Sequence, residues 1–187
     1  MFEEILAKLG LSLEKYNIPY MIIGGQAVLL YGEPRLTRDI DVTLGVNGDY
    51  LPEIIKVAEE TNLILLPSNV EDFVNKTMVL PAKDKATEIR IDFIFSFTPY
   101  ERKAIKRAKD ISIKDKIVKF ASLEDVIIHK IFAGRPRDLE DVKSILLKNP
   151  SADLPYIRKW LAEFDKSLSE TKLLKNFNGI LDSIAEK

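Results

Sequence analysis

The chain has 187 residues, 46% of them hydrophobic, enough for one large domain or two small ones with a sizeable core. Its 28 Lys and Arg against 29 Asp and Glu leave a formal charge of −1, so any pull on a polyanion has to come from a local patch. With no Cys there is no disulfide framework and no thiolate site, no apolar run is long enough to cross a membrane, no signal-peptide pattern occurs, and the cytoplasm is the expected compartment.

Phe2 to Asn17 places Ile5, Leu6, Leu9, Leu13 and Tyr16 at helical spacing and predicts an amphipathic helix. Pro19 closes the turn after it, and Tyr20 to Ile23 is a short apolar strand. Gly24 and Gly25 follow at once. Lacking a Cβ, they let the backbone take a positive φ and come close to a ligand. Gln26 to Tyr31 predicts a short helix, whose start would offer unpaired N–H groups to an anion. A glycine pair also reads as a plain turn, and it carries little by itself.

Asp39-Ile40-Asp41-Val42 opens a strand that runs to Leu44. Strand alternation puts Asp39 and Asp41 on one face, about 6.5–7 Å apart at Cα, with Ile40 and Val42 on the other. Asp is disfavoured in strands, and two like charges side by side repel unless a cation lies between them. Mg²⁺ takes carboxylate and phosphate oxygens, and paired ions clamp an in-line displacement at phosphorus. Two solvated acids on an edge strand are the plainer alternative, weakened by the glycine turn upstream.

Beyond a loop at Gly45 to Gly48, Tyr50 to Thr61 predicts a helix capped by Asp49. Leu63 to Leu66 predicts a short strand and Val70 to Asn75 a short helix. Thr77 to Pro81 and Thr87 to Phe95 predict an antiparallel pair around a turn at Ala82 to Ala86. In the second, Ile89, Ile91, Phe93 and Phe95 share one face, while Glu88, Arg90 and Asp92 share the other. Asp92 is either a solvated residue on the open side of a sheet or, if its strand neighbours that of Asp39 and Asp41, a third carboxylate that completes a metal site and activates an acceptor hydroxyl. Thr98-Pro99-Tyr100-Glu101 starts a helix. From Arg102 to Lys119 only Asp110 and Asp115 oppose a run of Lys and Arg, which reads as a solvated face or as a surface that steers RNA or DNA. Ile111 to Phe120 holds one or two short strands.

Ser122-Leu123-Glu124-Asp125 is a capping box, and the domain boundary is expected just before it, dividing 1–120 from 121–187. The rest reads as helices over Leu123–Ala133, Arg137–Lys148, Leu154–Lys166 and Glu170–Ala185, punctuated by Pro136, Pro150 and Pro155. Lys130 falls inside the apolar arc of Val126, Ile127 and Ile131, and Asp138 lines up with Val142 and Ile145. A charge in such an arc needs a partner. Either Lys130 and Asp138 tie the two helices together, or Lys130 reaches a triphosphate that Asp138, Arg135 and Arg137 help to orient. His129 falls on the polar side and is expected at the surface; Trp160 is expected in the core.

Gly24-Gly25, Asp39-x-Asp41 and the later strand acid Asp92 together resemble the nucleotidyltransferase superfamily of the DNA polymerase β type. More narrowly, Ser122-Leu123-Glu124-Asp125-Val126 through Lys130, then Arg135-Pro136-Arg137-Asp138-Leu139-Glu140-Asp141, is similar to motifs of the AbiEii-type nucleotidyltransferases of toxin–antitoxin systems. The likeness covers roughly residues 18 to 147. It implies an α/β (α+β) fold, a mixed sheet flanked by helices with a helical C-terminal domain, and an active site in the cleft between the two. It implies Mg²⁺ or Mn²⁺ on Asp39, Asp41 and Asp92, the catalytic acids. It also implies nucleotide contacts from Gly24, Gly25, Gln26, Arg38, Lys130, Arg135 and Asp138. The implied reaction moves a nucleoside monophosphate from an NTP to a hydroxyl on RNA (such as tRNA), a protein or a small molecule, with an antitoxin as a further partner. Gln26 stands where the superfamily usually has Ser. That residue and the short chain support a rival reading, a non-catalytic module that keeps the fold and binds nucleotide, RNA or a partner protein. Antibiotic modification would share the chemistry, but no drug pocket is legible.

Overall fold

The computed structural model describes residues 1–169 and 171–186. The chain divides into two compact units, 1–26 with 37–121 and 27–36 with 122–187. Residues 27–36, expected with the N-terminal domain, therefore group with the C-terminal helices.

The first unit begins with α1 (Phe2–Lys15) and β1 (Tyr20–Ile23), then enters α2 (Gly24–Tyr31). It resumes with β2 (Asp39–Leu44), α3 (Leu51–Glu60), β3 (Leu63–Leu65), α4 (Val70–Thr77), β4 (Val79–Asp84) and β5 (Arg90–Phe95). It closes with α5 (Pro99–Lys106), β6 (Lys109–Ile113) and β7 (Lys116–Phe120). The strands form one mixed sheet in the order β3-β4-β5-β2-β1-β7-β6. At its centre β2 runs antiparallel to β1 and parallel to β5.

Register fixes which side chains meet. Ile22, Val42, Phe93 and Leu80 form one row across four strands, and each is 0% exposed. Each such side chain contributes roughly 1.5–3 kcal/mol by leaving water. The expected apolar stripe of α1 (Ile5, Leu6, Leu9, Leu13) is buried, and α1 packs on β6 and β7 and against α3. The Thr98 hydroxyl accepts the Glu101 N–H, so α5 starts where its capping residues predict.

Several boundaries differ from expectation for local reasons. Asp49 caps no helix: it lies in a 3-10 turn, Gly48–Tyr50, where it accepts from the Asn47 amide at 2.8 Å. β4 continues through Ala82 to Asp84 because the turn lies further on. There the Asp84 carboxylate accepts the N–H groups of Ala86 and Thr87 and the Thr87 hydroxyl, and Glu88 takes a positive φ. Thr77 ends α4 instead of opening a strand.

The second unit contains α6 (Leu123–Ala133), α7 (Pro136–Lys148), α8 (Leu154–Leu168) and α9 (Lys172–Ala185). The expected start of the last helix at Glu170 lies outside the described residues. α6 is the central helix, packed against the other three. Its start is fastened twice over. Ser122 accepts the Asp125 N–H and donates to its carboxylate, whose other oxygen takes the Tyr156 hydroxyl of α8 at 3.0 Å. His129 is half-buried, not a surface residue, and burial pushes its pKa down to about 4 against a weaker upward pull from Asp125. Trp160 is half-buried and packs beside Phe164, whose ring meets Phe132 edge-on at 5.5 Å. Among the described residues no helix is long and apolar enough to cross a membrane.

Candidate active site

The first unit concentrates acid on the sheet face opposite the Val42 row. Asp41 and Asp92 are register partners on the parallel strands β2 and β5, and Asp39 is the partner of Arg90. Partners across a sheet project to the same side. All three carboxylates predicted from the sequence therefore share one face, with Arg90 among them and Lys83, the partner of Arg90 on β4, beside it. Asp39, Asp41 and Asp92 are half-buried and Arg38 is exposed.

The glycine pair is not a turn ahead of a helix; it forms the first turn of α2. Gly24 has φ +64°, and a Cβ at this position would lie 1.9 Å from Asp41 Oδ2. Glycine is required here on both counts: the backbone is left-handed, and the Asp41 carboxylate fills the space of a side chain. One strand acid is thereby lodged against the start of a helix, where partial positive charge favours an anion.

Gln26, one residue past the pair, is 6% exposed, and its Nε2 has no hydrogen-bond partner among the described residues. A buried amide donor without an acceptor is costly.

Asp92 is engaged: the Arg90 Nε–H lies between its two oxygens, at 2.9 and 3.0 Å. Asp39 accepts a hydrogen bond from the Thr37 hydroxyl. Among the described residues no three His, Cys, Asp or Glu side chains are gathered closely enough to hold an ion as they stand. The donors nevertheless suit a hard divalent cation in type and placement. They are carboxylate oxygens on one face, two of them on register partners, and one is set in a hollow that a Cβ would fill.

The second unit treats charge differently. Lys130 Nζ, 8% exposed at its side chain, lies 2.7 Å from Asp138 Oδ1 and 3.0 Å from Asp141 Oδ2. Asp141 is held on both oxygens by the Arg35 guanidinium, at 2.8 and 3.0 Å, and Asp138 by Arg135 at 2.6 Å. Burial alone would raise the Asp138 pKa, but the hydrogen bonds and charges of Arg135 and Lys130 outweigh it and hold it low. The ion pair expected as one alternative for Lys130 and Asp138 is thus present, with Arg35 and Asp141 joined to it. Arg137 donates to the Leu36 carbonyl at 3.0 Å.

Arg90 and the contact that Asp141 makes with Lys130 were not expected from the sequence, though both left a signal. Arg90 shares the strand face of Asp92, and Asp141 lies one helical turn beyond Asp138. Arg35 left none.

The sequence matches the model of a family described as nucleotidyltransferase of unknown function, DUF6036, over residues 1–181. The chain belongs to this nucleotidyltransferase family. No curated protein matches it. Among solved structures, this nucleotidyltransferase is similar to the antibiotic-resistance factor ANT(2'')-Ia in solution, with 16% identity, a TM-score of 0.59, and coverage of 90% of this chain and 93% of the other. A crystal structure of ANT(2'')-Ia with adenylyl-2''-tobramycin gives 17% identity and a TM-score of 0.59, over 89% of this chain and 98% of the other. An antigenic nucleotidyltransferase-like protein from Paracoccidioides brasiliensis gives 19% and 0.58, over 93% and 92%. At these identities the likeness is one of fold: the mixed sheet and its helices are those of nucleotidyltransferases.

Proposed function

We infer that the chain moves a nucleoside monophosphate from an NTP to an acceptor hydroxyl, with divalent cations held by Asp39, Asp41 and Asp92. The observation that carries this reading is the pairing of Asp41 with Asp92 across β2 and β5, on the face of Asp39 and with the Asp41 carboxylate lodged against Gly24. Bound Mg²⁺ or Mn²⁺ would neutralise phosphate charge and hold the entering and leaving oxygens in line. The remaining work falls to the chain's own groups. The backbone N–H groups of Gly24 and Gly25 and the amide of Gln26 bind phosphate oxygens at the start of α2, and Arg38 adds charge beside Asp39. Asp92 takes the acceptor proton as the oxygen–phosphorus bond forms and the bond to pyrophosphate breaks.

Family membership and the fold shared with adenylyltransferases support a transferase. The structure of ANT(2'')-Ia with adenylyl-2''-tobramycin supports weighing a small-molecule acceptor beside RNA such as tRNA, or a protein. The Lys130 and Arg135–Asp141 motif supports kinship with AbiEii-type enzymes and, with it, an antitoxin-like partner. The second reading, a non-catalytic binding module, draws support from the Arg90 hold on Asp92.

One substitution separates them. Asp41→Asn is expected to lower transfer of label from α-labelled NTP, across a panel of RNA, protein and small-molecule acceptors, on the order of a thousand-fold. Its circular-dichroism melt should match wild type. Undiminished transfer would refute the assignment, and a wild type that binds NTP and divalent ion without turnover would favour the binding module.

A further inference from the structure

Arg90 and Asp92 stand two residues apart on β5 and therefore on the same face. The contact between them has a particular geometry. A single N–H, that of Arg90 Nε, lies between the two Asp92 oxygens, 2.9 Å from one and 3.0 Å from the other. A divalent cation taking either oxygen of this carboxylate meets a lone pair that the shared N–H already engages, and its charge repels the guanidinium beside it. The Asp92 side chain is 18% exposed and that of Arg90 55%, so the acid is the fixed partner and the guanidinium the one with room to leave. Across the sheet Arg90 is the partner of Asp39, whose charge would hold it on this face once it lets go of Asp92.

These facts bear on why three acids share a face and yet are not drawn together around a point. Backbone register has already put Asp92 beside Asp41. What occupies Asp92 is the cation two residues before it in the chain.

We propose that Arg90 is a positioning residue that holds Asp92 in reserve, competing directly with the divalent ion for that carboxylate. The inference rests on the transferase reading for its purpose but not for its test. Arg90 and the ion exclude one another at Asp92, so the third carboxylate joins the site only when the guanidinium has moved aside. A triphosphate or an acceptor phosphate brought to this face supplies Arg90 with another anionic partner. Arrival of substrate then releases Asp92 at the moment its oxygens are needed. With no substrate bound, the same contact keeps three like charges on one face from repelling at full strength.

The test is Mn²⁺ binding without nucleotide, read from the loss of the free-ion electron paramagnetic resonance signal, in wild type, Arg90→Ala and Arg90→Lys. Removing a unit positive charge adjacent to a divalent ion is expected to tighten binding about five- to ten-fold in Arg90→Ala. Arg90→Lys should fall between Arg90→Ala and wild type, because a lysine keeps the charge but lacks the fixed guanidinium fork. The gain should vanish when Asp92→Asn is added to Arg90→Ala. Unchanged or weaker binding in Arg90→Ala, a gain that persists without Asp92, or no Mn²⁺ bound by any variant overturns the inference. Melts recorded in chelator check that each variant is folded, and an ion pair this exposed is too weak to decide the fold. If Arg90→Ala gains affinity while no variant transfers label to any acceptor, the competition stands and the transferase reading falls.

Discussion

The two units of this nucleotidyltransferase handle charge in opposite ways. In the second, Lys130, Arg35 and Arg135 surround Asp138 and Asp141, and every oxygen of the two acids has a cation against it. In the first, Asp39, Asp41 and Asp92 share one sheet face with Arg90 and Lys83, and Arg90 is bonded to Asp92. Buried charge that is balanced holds helices in place. Three acids crowded on one face repel one another and cost stability, and a protein keeps such an arrangement where the acids serve something else.

Breaking the balanced cluster should have the largest effect on folding. Lys130→Ala leaves two buried carboxylates facing each other across the vacated position, and is expected to destabilise the chain by about 3–5 kcal/mol in urea unfolding. Lys130→Met tests whether volume or charge matters. If charge does, methionine should recover little of the loss. A fall below about 1 kcal/mol for either would mean that Arg35 and Arg135 suffice without the lysine.

A second way into the same unit is acid. The folded-state pKa of His129, about 4, lies below its ordinary 6.5, so the unfolded chain takes up the proton first as pH falls. The stability linked to this group is intact above about 6.5 and is lost progressively between there and 4, by up to about 3 kcal/mol. Comparing wild type with His129→Gln across that window isolates the effect, and the variant should show the shallower decline. Equal slopes would place the imidazole in contact with water.

Legibility followed the same division. Asp39 and Asp41 were readable because strand alternation is a two-residue rule, and the glycine pair because it follows a strand directly. Asp92 on a strand neighbouring Asp39 and Asp41 was one of two alternatives, but its register opposite Asp41 was not readable: β2 and β5 are neighbours in the sheet but not in the chain, with β3 and β4 between them in sequence. The Arg35 contact with Asp141 closes over 106 residues and has no local signature. His129 misled for a different reason. Periodicity gives α6 a polar side, but the helix packs against α7, α8 and α9 and buries Asp125 and Ile128 as well as the arc that holds Lys130. A helix packed on three sides leaves too little exposed surface for periodicity alone to assign a lone histidine to solvent. The glycine pair, read as a phosphate cradle, has in addition a duty within the chain, since Gly24 leaves the space that Asp41 fills.

The smallest effect is also the sharpest for the contrast, because it uses the same chemical change in both places. Asp→Asn removes one negative charge and keeps the shape. At Asp138 it strips Lys130 and Arg135 of a partner in a buried setting, and a loss of roughly 2–3 kcal/mol is expected. At Asp39 it relieves repulsion among acids on one face, and the Thr37 hydroxyl bond that Asp39 accepts is one an amide oxygen also accepts. The expected change there is within about 0.5 kcal/mol of zero or stabilising. Paired urea titrations of the two variants read the difference directly. Matching losses would mean that the acids of the first unit are held by the fold as firmly as those of the second, and that their crowding serves packing and not a bound cation.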